Sequence, residues 1–173
     1  RRKPLLVKGA RQTGKTYLLR EFGKNEYKQV HYFNFDEFPE LSQFFEKNLD
    51  PQRILSDLSV YSKNRILPSN DLIIFDEVQN CNAALNSLKY FQENAPDYHL
   101  VAAGSLLGVK LSSPGSFPVG KVNFLDLYPL TFLEFLDAIG ESRYRMILEE
   151  TKDFQPYAEP FHRELIDLLH QYY

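Results

Sequence analysis

An α/β three-layer sandwich, with a mainly parallel central sheet covered on both faces by helices, is the fold class this sequence predicts, and three observations carry the prediction. Short β-branched and aromatic runs alternate with helical patterns along the chain. The run Leu72-Ile73-Ile74-Phe75 is apolar at every position, as in a strand buried on both faces of a parallel sheet. The stretch Gly9-Ala10-Arg11-Gln12-Thr13-Gly14-Lys15-Thr16 stands between a strand pattern and a helix pattern.

The elements follow in order. Leu5-Leu6-Val7 is the first strand, and Leu18, Leu19 and Phe22 give the segment from Lys15 to Phe22 a helical apolar face. Val30 to Phe35, "VHYFNF", alternates β-branched or aromatic residues with polar ones and makes the second strand. Helices are expected from Glu40 to Lys47 and from Pro51 to Tyr61, each with proline at or near its first turn, where a missing N–H costs nothing. Leu72 to Phe75 is expected as a central strand ending in Asp76-Glu77. Ala83 to Asn94 reads as a helix with Leu85, Leu88 and Phe91 at three-residue steps, closed by Pro96-Asp97. His99 to Ala103 is the next strand, ending at Gly104-Ser105. Ser112 to Gly120 is a Ser, Pro and Gly loop, and Val122 to Leu127 one more strand. Helices are expected over Leu130 to Ile139, Arg143 to Glu150 and Pro160 to Tyr173, with no internal repeat.

The length of 173 residues matches one ordinary domain, so one compact unit is expected. A chain that is 43% hydrophobic and 25% charged lies in the globular range, away from the polar compositions that stay disordered. The net charge of -3 gives no global reason to bind nucleic acid or an anionic membrane. The lone Cys81 cannot form an internal disulfide, and no secretory leader or long apolar span is present, so a cytoplasmic location is expected. The chain starts at Arg1 with the glycine stretch almost at once, as expected of a piece of a longer protein.

The glycine stretch fits G-x-x-x-x-G-K-[ST] at every fixed position and has the strand-to-helix context that a phosphate loop requires. Its glycines let the backbone curl so that N–H groups, including those from Gln12 to Thr16, point at phosphate oxygens beside the positive end of the following helix. Gly9, Ala10, Arg11, Gln12, Thr13, Gly14, Lys15, Thr16 and Tyr17 form the nucleotide-contacting set, with Lys15 reaching the β- and γ-phosphates. Thr16 offers a hydroxyl to Mg²⁺, which takes few protein ligands and keeps several waters. Arg11 reads either as a phosphate contact or as one half of a surface ion pair.

Ligand crevices in parallel sheets form at the carboxyl ends of strands, which puts Asp76 and Glu77 beside that loop. Asp76 would hold Mg²⁺, directly or through a water. Glu77, turned differently by the alternation of side chains along a strand, would take a proton from an attacking water. The pair favours hydrolysis of a nucleoside triphosphate over transfer to a small acceptor. The plainer reading of Glu77 is a solvated acid beside a helix start. Ser105 reads equally as a hydroxyl sensing the γ-phosphate and as turn chemistry after a glycine. The catalytic candidates are thus Glu77, Lys15 and Ser105, and the metal candidates Thr16 and Asp76.

Other features carry less. His31, His99, His162 and His170 show no metal-ligand spacing with one another or with Cys81. Arg1-Arg2-Lys3 reads as solvated flank, and Tyr128, Phe132 and Phe135 as core rather than a stacking platform.

Taken together and in order, "GARQTGKT", "LIIFDEVQ", "GSLLG" and "FLDLYPLTFLEFL" resemble the AAA-superfamily ATP-binding proteins of bacteria and archaea that usually carry a C-terminal domain of unknown function. The resemblance covers roughly residues 3 to 140 and implies a P-loop NTPase sheet in which "HLVAAGS" lies between the phosphate-loop strand and the "LIIFDE" strand. It implies residues 1–140 as the ATP-binding core and residues 141–173 as a helical extension at the start of a truncated region. It also implies ATP and Mg²⁺ as ligands, Asp76 as the magnesium-associated acid, Glu77 as the base and Ser105 as the sensor. The absent C-terminal domain would be a partner in the same polypeptide, and homo-oligomerisation is left open. Related oligomeric ATPases supply an arginine from a neighbouring subunit; Arg143 and Arg145 are candidates for it by position only. The implied function is Mg²⁺-dependent ATP hydrolysis coupled to conformational change, slow in an isolated fragment. The alternatives are a nucleotide-dependent interaction switch without turnover and a DNA-linked motor or nuclease accessory.

Overall fold

The structure, a computed structural model, describes residues 2–105, 120–151 and 156–173. Apart from Gly120, the loop expected over Ser112 to Gly120 lies outside the described residues. The chain divides into two compact units, Arg1–Tyr128 and Pro129–Tyr173, where the length alone suggests one.

The first unit is built on a sheet of five strands: β1 (Leu5–Lys8), β2 (Gln29–Asn34), β3 (Asp71–Asp76), β4 (His99–Gly104) and β5 (Asn123–Asp126). Their order across the sheet is β2-β3-β4-β1-β5, and every pairing is parallel. "HLVAAG" therefore lies between the glycine-loop strand and the "LIIFD" strand, in the implied order. β3 is interior, as its unbroken apolar run predicts, although the middle position belongs to β4. Helix α1 (Lys15–Glu26) follows β1, and α2 (Pro51–Tyr61) and α3 (Asn82–Asn94) precede and follow β3. The segment Pro39–Phe45, expected as an α-helix, is a 3₁₀-helix. It is seven residues long and its first residue has no side-chain cap, so nothing offsets the cost of nucleating an α-helix.

Both faces of the sheet are covered, and β3 supplies both. Ile73 and Phe75 enter a cluster with Leu6, Phe33, Ile54, Leu58, Leu88 and Phe91, the last five residues coming from β2, α2 and α3. Leu72 and Ile74 enter the opposite cluster with Val7, Leu19, Val101 and Ala103, beneath α1. Period-two alternation within a wholly apolar strand thus feeds two cores. Phe75 makes edge-on contacts with Phe33, Phe35, Phe45 and Phe91, so one ring joins two strands, the 3₁₀-helix and α3. At the amino end of the strands the buried His31 Nε2 meets Asp71 Oδ2 at 3.1 Å, and the same oxygen accepts from the Leu67 N–H at 2.8 Å.

The second unit comprises α4 (Phe132–Ala138), α5 (Ser142–Glu150) and α6 (Glu159–Tyr172). Its own small core is formed by Leu136, Tyr144, Leu165 and Leu168, and this separate cluster is why the chain divides. Thr131 caps α4 in a full capping box with Glu134. Phe132 stacks on Phe135, meets Tyr172 edge-on and packs against this core; Phe135 meets Tyr172 at a tilt, and Tyr128, 77% exposed, belongs to no core. No helix among the described residues is long and apolar enough to cross a membrane.

Phe75→Ala removes the ring on which four aromatic neighbours converge. It is expected to lower the unfolding free energy by about 3–5 kcal/mol, read as a reduced midpoint in urea denaturation.

Candidate functional site

The carboxyl ends of β1, β3 and β4 form one level of the sheet, because Lys8 pairs with Gly104 and Phe75 with Ala102. The stretch Gly9 to Gly14, Asp76 and Ser105 therefore leave the sheet side by side. Two residues of the glycine stretch, Gln12 (φ 62°) and Gly14 (φ 83°), have left-handed backbones, and these turn the chain sharply into α1. Gly9 serves a different need. A Cβ there would lie 2.3 Å from the carbonyl oxygen of Leu127, which follows β5, so only glycine fits between the loop and that backbone.

Helix α1 starts at Gly14, which has no side chain to cap the first N–H groups, and its first turn holds no acidic residue. The positive end of a three-turn helix is left open toward the loop, a ready anion site. The Lys15 ammonium, 6% exposed, curls back under the loop and donates to the carbonyls of Gly9 at 3.1 Å and Ala10 at 2.5 Å, and to Thr13 Oγ1 at 3.3 Å. Thr13 in turn donates to the Ala10 carbonyl at 3.0 Å. Ala10, Arg11 and Gln12 are exposed, and Arg11 makes no ion pair among the described residues, contrary to the surface-pair reading. Tyr17 is 73% exposed.

Asp76, 1% exposed, is the hub. Its Oδ2 accepts from Thr16 Oγ1 at 2.6 Å and from the Tyr32 hydroxyl at 2.7 Å, and its Oδ1 accepts from the Glu77 N–H at 2.9 Å. A buried carboxylate would be costly without such donors, and hydrogen bonds to a charged acceptor contribute about 1.5–3 kcal/mol each. Burial and the Asp76 carboxylate push the Tyr32 phenol up to about 12, so it stays a donor at any working pH.

Glu77 departs from the expected geometry. It sits beyond the end of β3 with a left-handed backbone (φ 50°, ψ 39°), so this turn, and not the alternation of a strand, aims its side chain. A non-glycine residue held there stores strain of about 1–3 kcal/mol, a feature that clusters at functional sites. The Gln79 amide donates to the Glu77 carboxylate and, at 3.4 Å, to Ser105 Oγ; Ser105 is itself 1% exposed. Gln79 therefore bridges two of the predicted residues.

The structure thus brings Lys15, Thr16, Asp76, Glu77 and Ser105 to one end of the sheet. Arg143 pairs with Glu141 at 3.0 Å and Glu164 at 3.4 Å, and Arg145 with Glu149 at 3.1 Å and with Asp137, all within the second unit. Tyr32 lies in no motif, and Gln79, although it ends "LIIFDEVQ", was given no role there. A signal for Tyr32 does exist in "VHYFNF", whose alternation sets Tyr32 and Asn34 on one face at the strand's carboxyl end.

The oxygen donors suit magnesium. Thr16 and Asp76 present a hydroxyl and a carboxylate in direct contact, the hard ligand pair that Mg²⁺ takes from protein while phosphate and water complete its shell. No group of three or more His, Cys, Asp or Glu is assembled among the described residues, so most ligands here would come from outside the protein.

The family described as AAA domain matches residues 1–136, and the chain belongs to it. No curated protein matches. Among solved structures, Drosophila ORC bound to DNA is similar at 17% identity and a TM-score of 0.55, covering 86% of this chain and 44% of that one. A Walker-type ATPase of Pyrococcus abyssi is similar at 16% identity and a TM-score of 0.51, covering 87% of this chain and 59% of that one. These likenesses show the fold, that of an α/β P-loop NTPase, and this chain spans only about half the length of either.

Replacing Glu77 tests the backbone separately from the carboxylate. Glu77→Gly is expected to be more stable than Glu77→Ala by about 1 kcal/mol in urea denaturation, because only glycine occupies the left-handed region without steric cost.

Proposed function

We propose that this AAA-family chain binds ATP with Mg²⁺ and hydrolyses it, coupling the cycle to conformational change in a longer polypeptide. The Thr16–Asp76 hydrogen bond carries the reading, since it joins the helix behind the phosphate loop to the end of a strand 60 residues away. The open N-terminus of α1 and the ammonium of Lys15 would receive the phosphates, Lys15 exchanging the carbonyls of Gly9 and Ala10 for phosphate oxygens. Thr16 and Asp76 would hold Mg²⁺, which would supply positive charge to offset that of the phosphates. Glu77 would orient a water and take its proton, and Ser105 would meet the γ-phosphate end. Residues 1–140 form the ATP-binding core in this reading, and 141–173 a helical extension toward the rest of the protein. The setting is cytoplasmic, in keeping with a single, buried Cys81.

One contact favours a second reading, a nucleotide-dependent interaction switch with negligible turnover. The Gln79 amide occupies the Glu77 carboxylate that hydrolysis needs for water.

Purified protein separates the two. Glu77→Gln is expected to keep ATP affinity within about threefold while phosphate release falls about 10²–10⁴-fold, the usual worth of a general base. Lys15→Ala is expected to weaken ATP binding about 10- to 100-fold through loss of a charge-assisted contact. Phosphate release that is absent from wild type and variant alike, in the full-length chain, decides for the switch.

A further inference from the structure

Three donors hold Asp76, and two of them, the Thr16 hydroxyl and the Glu77 N–H, belong to residues the functional reading above already uses, whereas the Tyr32 hydroxyl does not. The Tyr32 hydroxyl shares Oδ2 with Thr16, at 2.7 Å against 2.6 Å. Its proton is committed to that oxygen. The Asn34 amide donates to the Tyr32 oxygen at 3.2 Å, taking a lone pair and leaving the O–H to face the carboxylate.

The ring is fixed as well. The Arg20 guanidinium lies over it, 3.9 Å from the centroid, and Arg20 stands one helical turn after Thr16 on the same face of α1. The helix that carries Thr16 to Asp76 therefore also clamps the aromatic ring whose hydroxyl meets the same oxygen. Packing alone does not call for that hydroxyl, since β2 fills its other face with Phe33 and continues into Phe35. With Oδ1 held by the Glu77 N–H and Oδ2 by two hydroxyls, both carboxylate oxygens are pinned.

We propose that Tyr32 is a positioning residue for the metal pair, its hydroxyl holding the Asp76 carboxylate in the orientation that meets Thr16. The proposal rests on the reading that Thr16 and Asp76 hold Mg²⁺ beside bound nucleotide. Groups that orient a metal ligand from behind change metal affinity by about 10- to 100-fold when removed. Tyr32→Phe removes the hydroxyl and keeps the ring under Arg20.

The test is binding of a fluorescent ATP analogue, titrated with MgCl₂ and repeated in EDTA. Tyr32→Phe is expected to need about tenfold more Mg²⁺ for half-maximal response, with nucleotide affinity in EDTA unchanged within about twofold. An equal Mg²⁺ midpoint in wild type and variant overturns the proposal and leaves the magnesium reading intact. So does a loss in EDTA as large as the loss in Mg²⁺, which is the mark of a general structural effect. A tighter Mg²⁺ midpoint in Tyr32→Phe also overturns it, because the phenol would then be competing for the carboxylate. Wild-type binding that ignores Mg²⁺ removes the magnesium reading and this proposal together, an outcome distinct from the others.

Discussion

The contact between Thr16 Oγ1 and Asp76 Oδ2 is the one on which the rest of the site depends. Two segments far apart in the chain meet there only because β1 and β3 flank β4 in a parallel sheet, which brings their carboxyl ends to the same level. The fold supplies the meeting and the side chains make it specific. A threonine in the first turn of a helix and an aspartate at the end of a buried strand can form such a bond only if helix and strand are held in fixed register. The two cores on either face of β3 provide that rigidity.

Around this contact the structure gathers several features that cost free energy to hold. A buried ammonium rests on carbonyls, a buried carboxylate takes three donors, and two non-glycine backbones, at Gln12 and Glu77, sit in the left-handed region. Each costs free energy that packing elsewhere must offset, and Phe75, with its four aromatic neighbours, lies directly before the carboxylate in sequence. Stability and strain are thus adjacent along β3. Residues 72–75 are satisfied entirely by burial, while Asp76 is satisfied by hydrogen bonds and Glu77 carries the strained turn.

Much of this was legible in the residues. Sheet composition, α1, α2 and the phosphate loop follow from apolar patterning and one spaced motif, because those features are local and periodic. The place of "HLVAAG" between two other strands came from resemblance, and the rest of the strand order was not read, because patterning is blind to which strand lies beside which. What stayed hidden depended on backbone angles and on contacts across the sheet. Glu77 looked like the next residue of a strand and is the pivot of a turn; Tyr32 was legible only as part of a strand and reaches a carboxylate 44 residues away. Gln79 ends the quoted "LIIFDEVQ", but its bridging amide depends on the turn that Glu77 makes. Tyr128 shares near-helical spacing with Phe132 and Phe135, but the helix begins after it, so the ring faces solvent.

Gly9 touches the chain that leaves the sheet. The Leu127 carbonyl oxygen lies 2.3 Å from where a Gly9 Cβ would be, and the Leu127 N–H donates to the Lys8 carbonyl at 2.7 Å. Loop and exit strand are thus backbone against backbone, without a compliant side chain between them to absorb displacement. A shift of the loop by even a few tenths of an ångström must be resisted at Leu127 or handed on to it. Leu127 follows directly on β5, so the loop is braced against the chain that leaves the last strand of the sheet.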